Sequence, residues 1–282
     1  MSTSTEGVYR LPVSIRILED VDISGTWLSQ GWRDFRSAPG VSLAYGGTFV
    51  VIALALTLGF SVAGLGALIL PIAGGFAIVA PILVVGLYDV SRRLEAGLPA
   101  TLTDCFGAFS RSASQLSAMG VVLLLCCLVW VLLALLLFAL IFGREPPPLD
   151  AFIVDIVFSI QGALLLILGS IVGACLTAAV FSLTAVSVPL IYDRPIDVLT
   201  AIGVSLLVVR GNVRVMFGWA AMIALITALG IATAFIGLAV GVPVLAYATW
   251  HAYRSVITDG PIYADDAQLP PVRKVEDAGA VT

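Results

Sequence analysis

Charged residues are scarce in this sequence. Of its 282 residues, 11 % are Asp, Glu, Lys or Arg, whereas about 25 % is usual in soluble domains. Such a chain cannot cover itself with a wetted surface, so lipid is its expected solvent. Lys274 is the only lysine. Because nucleic-acid binding needs clustered basic residues, a nucleic-acid partner is excluded.

Motifs of catalysis are also missing. The sequence contains no Gly-x-x-x-x-Gly-Lys, His-Glu-x-x-His or Gly-x-Ser-x-Gly pattern and no Cys-x-x-Cys pair. His251 is the only histidine, and it stands beside Trp250, so we interpret it as a member of an aromatic belt rather than a ligand. We predict no catalytic residue, no cofactor, no metal site and no enzymatic activity.

Long apolar runs dominate what is present. A membrane span needs about 20 residues, and residues 41–89 carry no charge before Asp89. We predict spans at 44–64, 67–89, 118–142 and 162–191, and two short spans within 215–249. Turns are expected near Gly64 and between 230 and 235.

The run 151–192 permits two interpretations. It is long enough for a hairpin of two spans or for one long, tilted span. Asp155 and Gln161 would lie near the centre of the first span of a hairpin, where polar groups are costly. We therefore favour one span, with residues 151–161 at the surface or re-entrant.

Three polar stretches before pairs of spans predict amphipathic helices. In residues 22–37, Trp27, Trp32 and Phe35 fall opposite Arg33 and Arg36, as in a helix in the headgroup layer. Packing on a soluble partner is the alternative. Two further helices present shared faces with Leu102, Phe106 and Phe109, and with Val198, Ile202 and Leu206. Asp22 and Thr101 are candidate N-caps.

These elements repeat three times, each copy being an amphipathic helix and two spans. The second span of each copy contains a proline, Pro81, Pro189 or Pro243, followed by an aromatic residue. We expect these three spans to be neighbours. The predicted divisions are a flexible segment 1–21, repeats at 22–98, 99–195 and 196–255, and a disordered tail 256–282.

Basic residues predict the orientation. Of the 14 Lys and Arg residues, only Arg144 falls outside the segments on one side of the six predicted spans. By the positive-inside rule, that side is the cytoplasm. The predicted fold is therefore an all-α polytopic membrane protein with six spans and both termini cytoplasmic.

Several segments resemble a bacterial family of uncharacterised integral membrane proteins, catalogued as a domain of unknown function. They include Pro71–Phe76, Gly86–Glu95, Gly31–Phe35 and Ala248–Arg254, within a resemblance that covers residues 13–255. Some members of that family carry a label that names cytochrome c oxidase subunit I. A catalytic oxidase subunit needs six histidine ligands, so the resemblance implies at most association with a respiratory complex.

The functional prediction combines these observations. We expect a non-enzymatic protein of the bacterial inner membrane, an accessory or assembly factor that binds another membrane protein or lipid. A respiratory complex is one candidate partner. The alternative is a transporter or channel for a neutral or lipid-like solute. A buried polar cavity between the repeats would favour the transporter, and a solid apolar bundle would favour the binding protein.

Overall fold

The computed structural model describes residues 13–18, 20, 22–143 and 158–258, and this part of the chain is almost entirely helical. The helices are α1 Ile23–Ser37, α2 Pro39–Val62, α3 Ile69–Leu83, α4 Val85–Glu95, α5 Leu102–Arg111, α6 Ala113–Phe142, α7 Ile160–Thr184, α8 Ser187–Asp193, α9 Val198–Gly211, α10 Val213–Ala232 and α11 Leu238–Val256. Two short strands, β1 Ser14–Ile15 and β2 Ile257–Thr258, pair antiparallel.

Five stretches of the described residues are long and apolar enough to cross a membrane. They are α2, α3 with α4, α6, α7 with α8, and α10. The chain is therefore an all-α polytopic membrane protein. The predicted turns are confirmed, because Gly64 has a positive φ of 71° after α2, and α10 and α11 are joined by residues 233–237.

Residues 160–193 form one continuous candidate span of 34 residues. This agrees with the single tilted span predicted for 162–191 rather than with a hairpin. The predicted surface segment 151–161 falls mostly outside the described residues, as do residues 1–12 of the predicted flexible segment and residues 259–282 of the predicted tail.

The buried core lies at one end of the bundle, which we call the packed end. It is formed by α4, α8 and the second half of α11, surrounded by α1, α5 and α9. At the opposite, apolar end, α2, α3, α6 and α7 extend with most of their leucine and valine side chains uncovered. Apolar surface of this kind is stable in hydrocarbon but not in water.

Two helix breaks bring the chain into the packed end, and side chains satisfy the backbone at each. Near Pro81, α3 ends at Leu83, and the Tyr45 hydroxyl donates to the Leu83 carbonyl at 2.6 Å. Between α7 and α8, Ser205 Oγ donates to the Ser182 carbonyl at 2.8 Å and accepts from Val186 N at 3.2 Å. Backbone groups inside a membrane protein need such partners, which explains why these breaks are tolerated.

Helix α1 differs from its prediction as a helix lying in the headgroup layer. Trp27 and Phe35 are buried against the protein, and a Cβ at Gly31 would overlap the backbone of Val244 and Ala248. Its apolar side therefore covers α11 of the same chain, and the interpretation of Trp27 and Phe35 as lipid anchors is wrong. The periodicity placed Trp27 and Phe35 correctly on one apolar face, but Trp32, assigned to the same face, is exposed on the side of Arg36. The periodicity also did not indicate that the neighbour of this face is α11. Asp22 lies at the N-cap position but makes no side-chain capping bond.

Helices α5 and α9 bury faces next to the predicted ones. In α5, Cys105 and Ala108 are buried while Phe106 stays exposed. In α9, the buried face is formed by Val198, Ala201, Val204, Ser205 and Val208. Both helices consequently keep apolar side chains uncovered beside the packed end.

The turn between α10 and α11 lies beside the first half of α2. A Cβ at Gly46 would overlap the backbone of Ala239, the second residue of α11. Val62, at the end of α2, lies about 24 Å further along that helix at 1.5 Å per residue. The turn thus stops well short of the end of α2, and α11 is not among the candidate spans found in the described residues.

Thr233 closes this turn. Its hydroxyl donates to the Gly230 carbonyl at 2.8 Å and accepts from Gly237 N at 2.8 Å. Ala234 and Phe235 both have positive φ, 52° and 68°, which is strained for residues with a side chain. A hydroxyl that satisfies backbone groups on both sides allows a tight turn in surroundings with little water.

The N-terminal strand ties the two ends of the chain together. Ile15 pairs with Ile257, Leu18 N donates to Asn212 Oδ1 at 2.6 Å, and Asn212 Nδ2 donates to the Arg16 carbonyl at 3.3 Å. Residues 13–18, which lie in the segment predicted to be flexible, are fixed by these bonds. Asn212 also follows α9 as its C-cap.

Candidate functional site

Aromatic side chains fill the space between α4, α8 and α11. The ring centroid of Trp250 lies 6.4 Å from that of Tyr88, 6.3 Å from Tyr192 and 5.4 Å from Tyr253. All four residues are buried, and aromatic pairs at these distances stabilise a core beyond their buried area. We call these four residues the aromatic cluster; they form a solid contact where the three helices meet.

The carboxylate of Asp89 joins three helices beside the aromatic cluster. Asp89 Oδ1 accepts from the Tyr192 hydroxyl of α8 at 2.6 Å and from Arg92 Nη2 at 2.6 Å. Arg111 of α5 donates to the Tyr192 hydroxyl at 3.0 Å and lies 3.6 Å from Asp89. Charge-assisted bonds of this length are the stronger class of hydrogen bond, so Asp89 holds α4, α5 and α8 together.

Asp34 plays the same part between α1, α4 and α11. Its Oδ2 accepts from Ser91 Oγ at 2.8 Å and lies 2.8 Å from His251 Nε2. His251 Nδ1 is 3.6 Å from Glu95, which in turn lies 3.5 Å from Arg254. Asp34, Ser91 and His251 are all buried. Because a buried carboxylate is costly without partners, these contacts keep α1 in place.

A third carboxylate, that of Asp193, links α8 to α11. The Tyr253 hydroxyl of α11 donates to Asp193 Oδ2 at 2.6 Å, and Arg194 Nε donates to the same hydroxyl at 3.3 Å. Asp89, Asp193 and Asp34 thus link α4 to α8, α8 to α11, and α11 back to α1 and α4. We call these three carboxylates and their partners the polar ring.

Helix α5 is fixed at its start by Thr101 and Asp104. Thr101 Oγ1 accepts from Asp104 N at 3.3 Å, and Asp104 Oδ2 accepts from Thr101 N at 2.9 Å, which confirms the predicted cap as a capping box. The hydrogen bond from the Thr101 side chain lowers the pKa of Asp104. Burial raises the pKa of the neighbouring Cys105 thiol to about 11, so this thiol is protonated at neutral pH.

The chemistry open to the polar ring is limited. Within the described ranges, no three His, Cys, Asp or Glu side chains are grouped to hold a metal ion. Ser91 donates to Asp34 rather than to His251, so the three side chains are not arranged as a serine–histidine–aspartate relay. The carboxylates of the ring accept bonds from side chains of the same protein, which makes the ring suited to holding helices.

Comparison with known proteins adds one finding. Residues 69–193 match the model of a family described as predicted integral membrane protein (DUF2189). The matched stretch is similar to that family's domain and covers less than half of the chain. The match confirms the predicted resemblance to an uncharacterised integral membrane family, over a shorter stretch than residues 13–255. No curated protein and no solved structure matches the chain.

The family segment covers α3 to α8, so it includes Asp89, Arg92, Arg111, Tyr192 and Asp193 of the polar ring. Asp34 and His251 lie outside the matched residues and complete the ring from both ends of the chain.

His251 corrects the sequence interpretation. It is buried and bonded to Asp34, so its interpretation as a belt residue facing the headgroups is wrong. Asp34 and Ser91 were missed for a related reason. Asp34 and His251 are separated by 217 positions, and no local pattern indicates their contact. The signal that was available is Asp34 on the same side of α1 as Trp27 and Gly31, a face that the structure shows to be buried.

Proposed function

We propose that this chain is a non-enzymatic accessory or assembly factor of the bacterial inner membrane that binds another membrane protein or lipid. The observation that supports this most is the filled interior of the packed end. The aromatic cluster occupies the space between α4, α8 and α11, and the charged groups around it are bonded to one another. A transporter or channel needs a path through the bundle, and this space offers none.

A binding role also has candidate surfaces. On α5, Phe106 has 65 % of its surface exposed, and on α9, Leu199 has 79 % exposed. Both lie on amphipathic helices that surround the polar ring, so their position is fixed by the most firmly packed part of the protein. Exposed apolar residues on a rigid support are typical of protein and lipid contact sites. A respiratory complex is the partner candidate that the family label suggests.

The proposed orientation places the packed end at the cytoplasmic side. Arg92, Arg93 and Arg111 lie there, as the positive-inside rule requires. The pairing of β1 with β2 supports an even number of crossings, because one strand precedes the first span and the other follows the last helix. Both termini then lie on the cytoplasmic side.

The number of crossings follows from the α10–α11 hairpin. Six crossings, as the sequence predicts, need its turn to reach the outer surface. The contact between Gly46 and Ala239 favours instead a hairpin that enters from the cytoplasmic side and returns to it. The proposal is therefore four crossings, with the third repeat inserted only partly. The contacts of α4, α8 and α11 with one another support the three-repeat arrangement.

The binding role is tested by photocrosslinking in living cells. A benzophenone amino acid is placed at Phe106 or at Leu199 in the full chain expressed at its natural level, and the cells are irradiated. We expect one discrete adduct from each position, which mass spectrometry identifies as a membrane protein or a lipid, because a specific partner occupies one fixed surface.

The control position is Leu140, with 71 % of its surface exposed at the apolar end of α6. It should yield only the mixed adducts of bulk membrane contact. If positions 106 and 199 give the same mixed products as position 140, the proposed binding role fails.

A further inference from the structure

An apolar groove runs along the surface between α1, α10 and α11. Its volume is about 410 Å³, and its lining includes Gly25, Leu28 and Trp32 of α1, Ile226 of α10, and Gly241 and Val244 of α11. The groove exists because α1 approaches α11 closely at Gly31, while Gly25 leaves open space beside that contact. A volume of this size lies within the usual range for small-ligand pockets, about 300–1,000 Å³.

The lining residues of the groove are almost all apolar, which favours a hydrocarbon chain as the ligand. Ser29 is the polar side chain of the groove, and its hydroxyl already donates to the Thr26 carbonyl at 2.8 Å. Ile226, Gly241 and Val244 belong to the hairpin that we place partly inside the membrane, so the groove opens where acyl chains are available. An apolar chain entering it loses no hydrogen bond and covers apolar surface.

Two positively charged side chains at one end of the groove favour a lipid with an anionic headgroup. Arg33 and Arg36 follow Ser29 and Trp32 by one helical turn, and residues four apart share a helix face. Both arginines are exposed, and neither is paired with an acidic group in the part of the chain that the structure describes. Arginine binds phosphate oxygens in pairs of hydrogen bonds, and α1 places these two at the end nearest the polar ring.

We infer that this groove binds one acyl chain of an anionic phospholipid, whose phosphate is held by Arg33 and Arg36. The inference rests on the proposed binding role and names the ligand of one surface. It assigns lipid recognition to α1, for which the sequence pattern predicts a helix in the headgroup layer or a helix packed on a soluble partner.

The test is native mass spectrometry of the delipidated full chain, titrated with phosphatidylglycerol or with phosphatidylcholine of the same acyl chains. We expect one phosphatidylglycerol per chain, bound about thirtyfold more tightly than phosphatidylcholine, as two basic side chains near an anionic lipid allow. The double variant Arg33→Gln, Arg36→Gln should lose this preference and still bind phosphatidylcholine.

The groove itself is tested by Gly25→Leu. A Cβ at Gly25 meets no atom within 4 Å, so the leucine fills the groove without disturbing the packing. It should abolish specific binding of both lipids while the melting temperature stays unchanged. Gly107→Leu is the matched control, because Gly107 is equally free on α5 and lies outside the groove.

Equal lipid binding by the Gly25→Leu and Gly107→Leu variants would overturn the inference. So would equal affinity of the wild-type chain for the two lipids, or a partner protein helix found in the groove. These outcomes leave the crosslinks at positions 106 and 199 unaffected, so the failure of this inference is distinguishable from the failure of the proposed function.

Discussion

Replacing Asp89 with alanine is expected to lower the free energy of unfolding by about 3 kcal/mol. The change removes the acceptor of Tyr192 and Arg92 and the counter-charge of Arg111. Loss of one partner from a buried ionic contact is costly because the remaining groups stay desolvated. The value lies at the lower end of the usual range, since both arginines are partly exposed and water reaches them. The shift is measured as the SDS mole fraction that unfolds the purified protein in mixed micelles.

The control for this prediction is Asp22→Ala. Asp22 is exposed and makes no side-chain capping bond, so its replacement should change the unfolding free energy by less than about 0.5 kcal/mol. An Asp89→Ala protein as stable as the Asp22→Ala protein would show that the polar ring does not hold the helices together.

Adding a single methyl group at Gly46 should destabilise the protein by about 3 kcal/mol, at the upper end of the usual cost of overpacking. The Cβ of the Gly46→Ala variant would overlap the backbone of Ala239. A backbone cannot rotate away as a side chain can, so α11 must move away from α2. The measurement is again unfolding by SDS in mixed micelles.

Gly47 provides a matched comparison one residue away in the same helix. A Cβ there meets no atom within 4 Å, and alanine favours a helix over glycine by about 1 kcal/mol. Gly47→Ala should therefore be neutral or stabilising. If the two alanine variants behaved alike, the docking of the α10–α11 turn on the first half of α2 would be wrong.

The membrane helices could be predicted from the sequence because hydropathy is a local property. The turns at Gly64 and at 233–237, the cap at Thr101 and the single span over 160–193 each depend on residues close together in the chain. Trp27 shows the limit of prediction from local sequence. The helical period identifies its face as apolar, but lipid and a second helix are both apolar neighbours, and the period does not distinguish them.

The polar ring could not be predicted for a different reason. Asp34 meets His251, and Asp89 meets Tyr192, only after the helices have packed. Tyr192 has the sequence signature of an interfacial aromatic residue. The residues next to it in the sequence do not indicate that its hydroxyl contacts Asp89. The depth to which the α10–α11 hairpin enters the membrane likewise cannot be predicted from its composition, because partial and complete insertion need the same apolar residues.

Sidedness is the most direct test of this account. The variants Ala63→Cys, Leu98→Cys and Ile236→Cys are made singly in a background without the four native cysteines, and an impermeant maleimide is applied to intact cells. All three positions are exposed. We predict that the Ala63→Cys protein is labelled, that the Leu98→Cys protein is labelled only after the cells are permeabilised, and that the Ile236→Cys protein stays unlabelled in intact cells. Labelling at position 236 as fast as at position 63 would contradict the partly inserted hairpin, and labelling at position 98 would place the polar ring on the wrong side of the membrane.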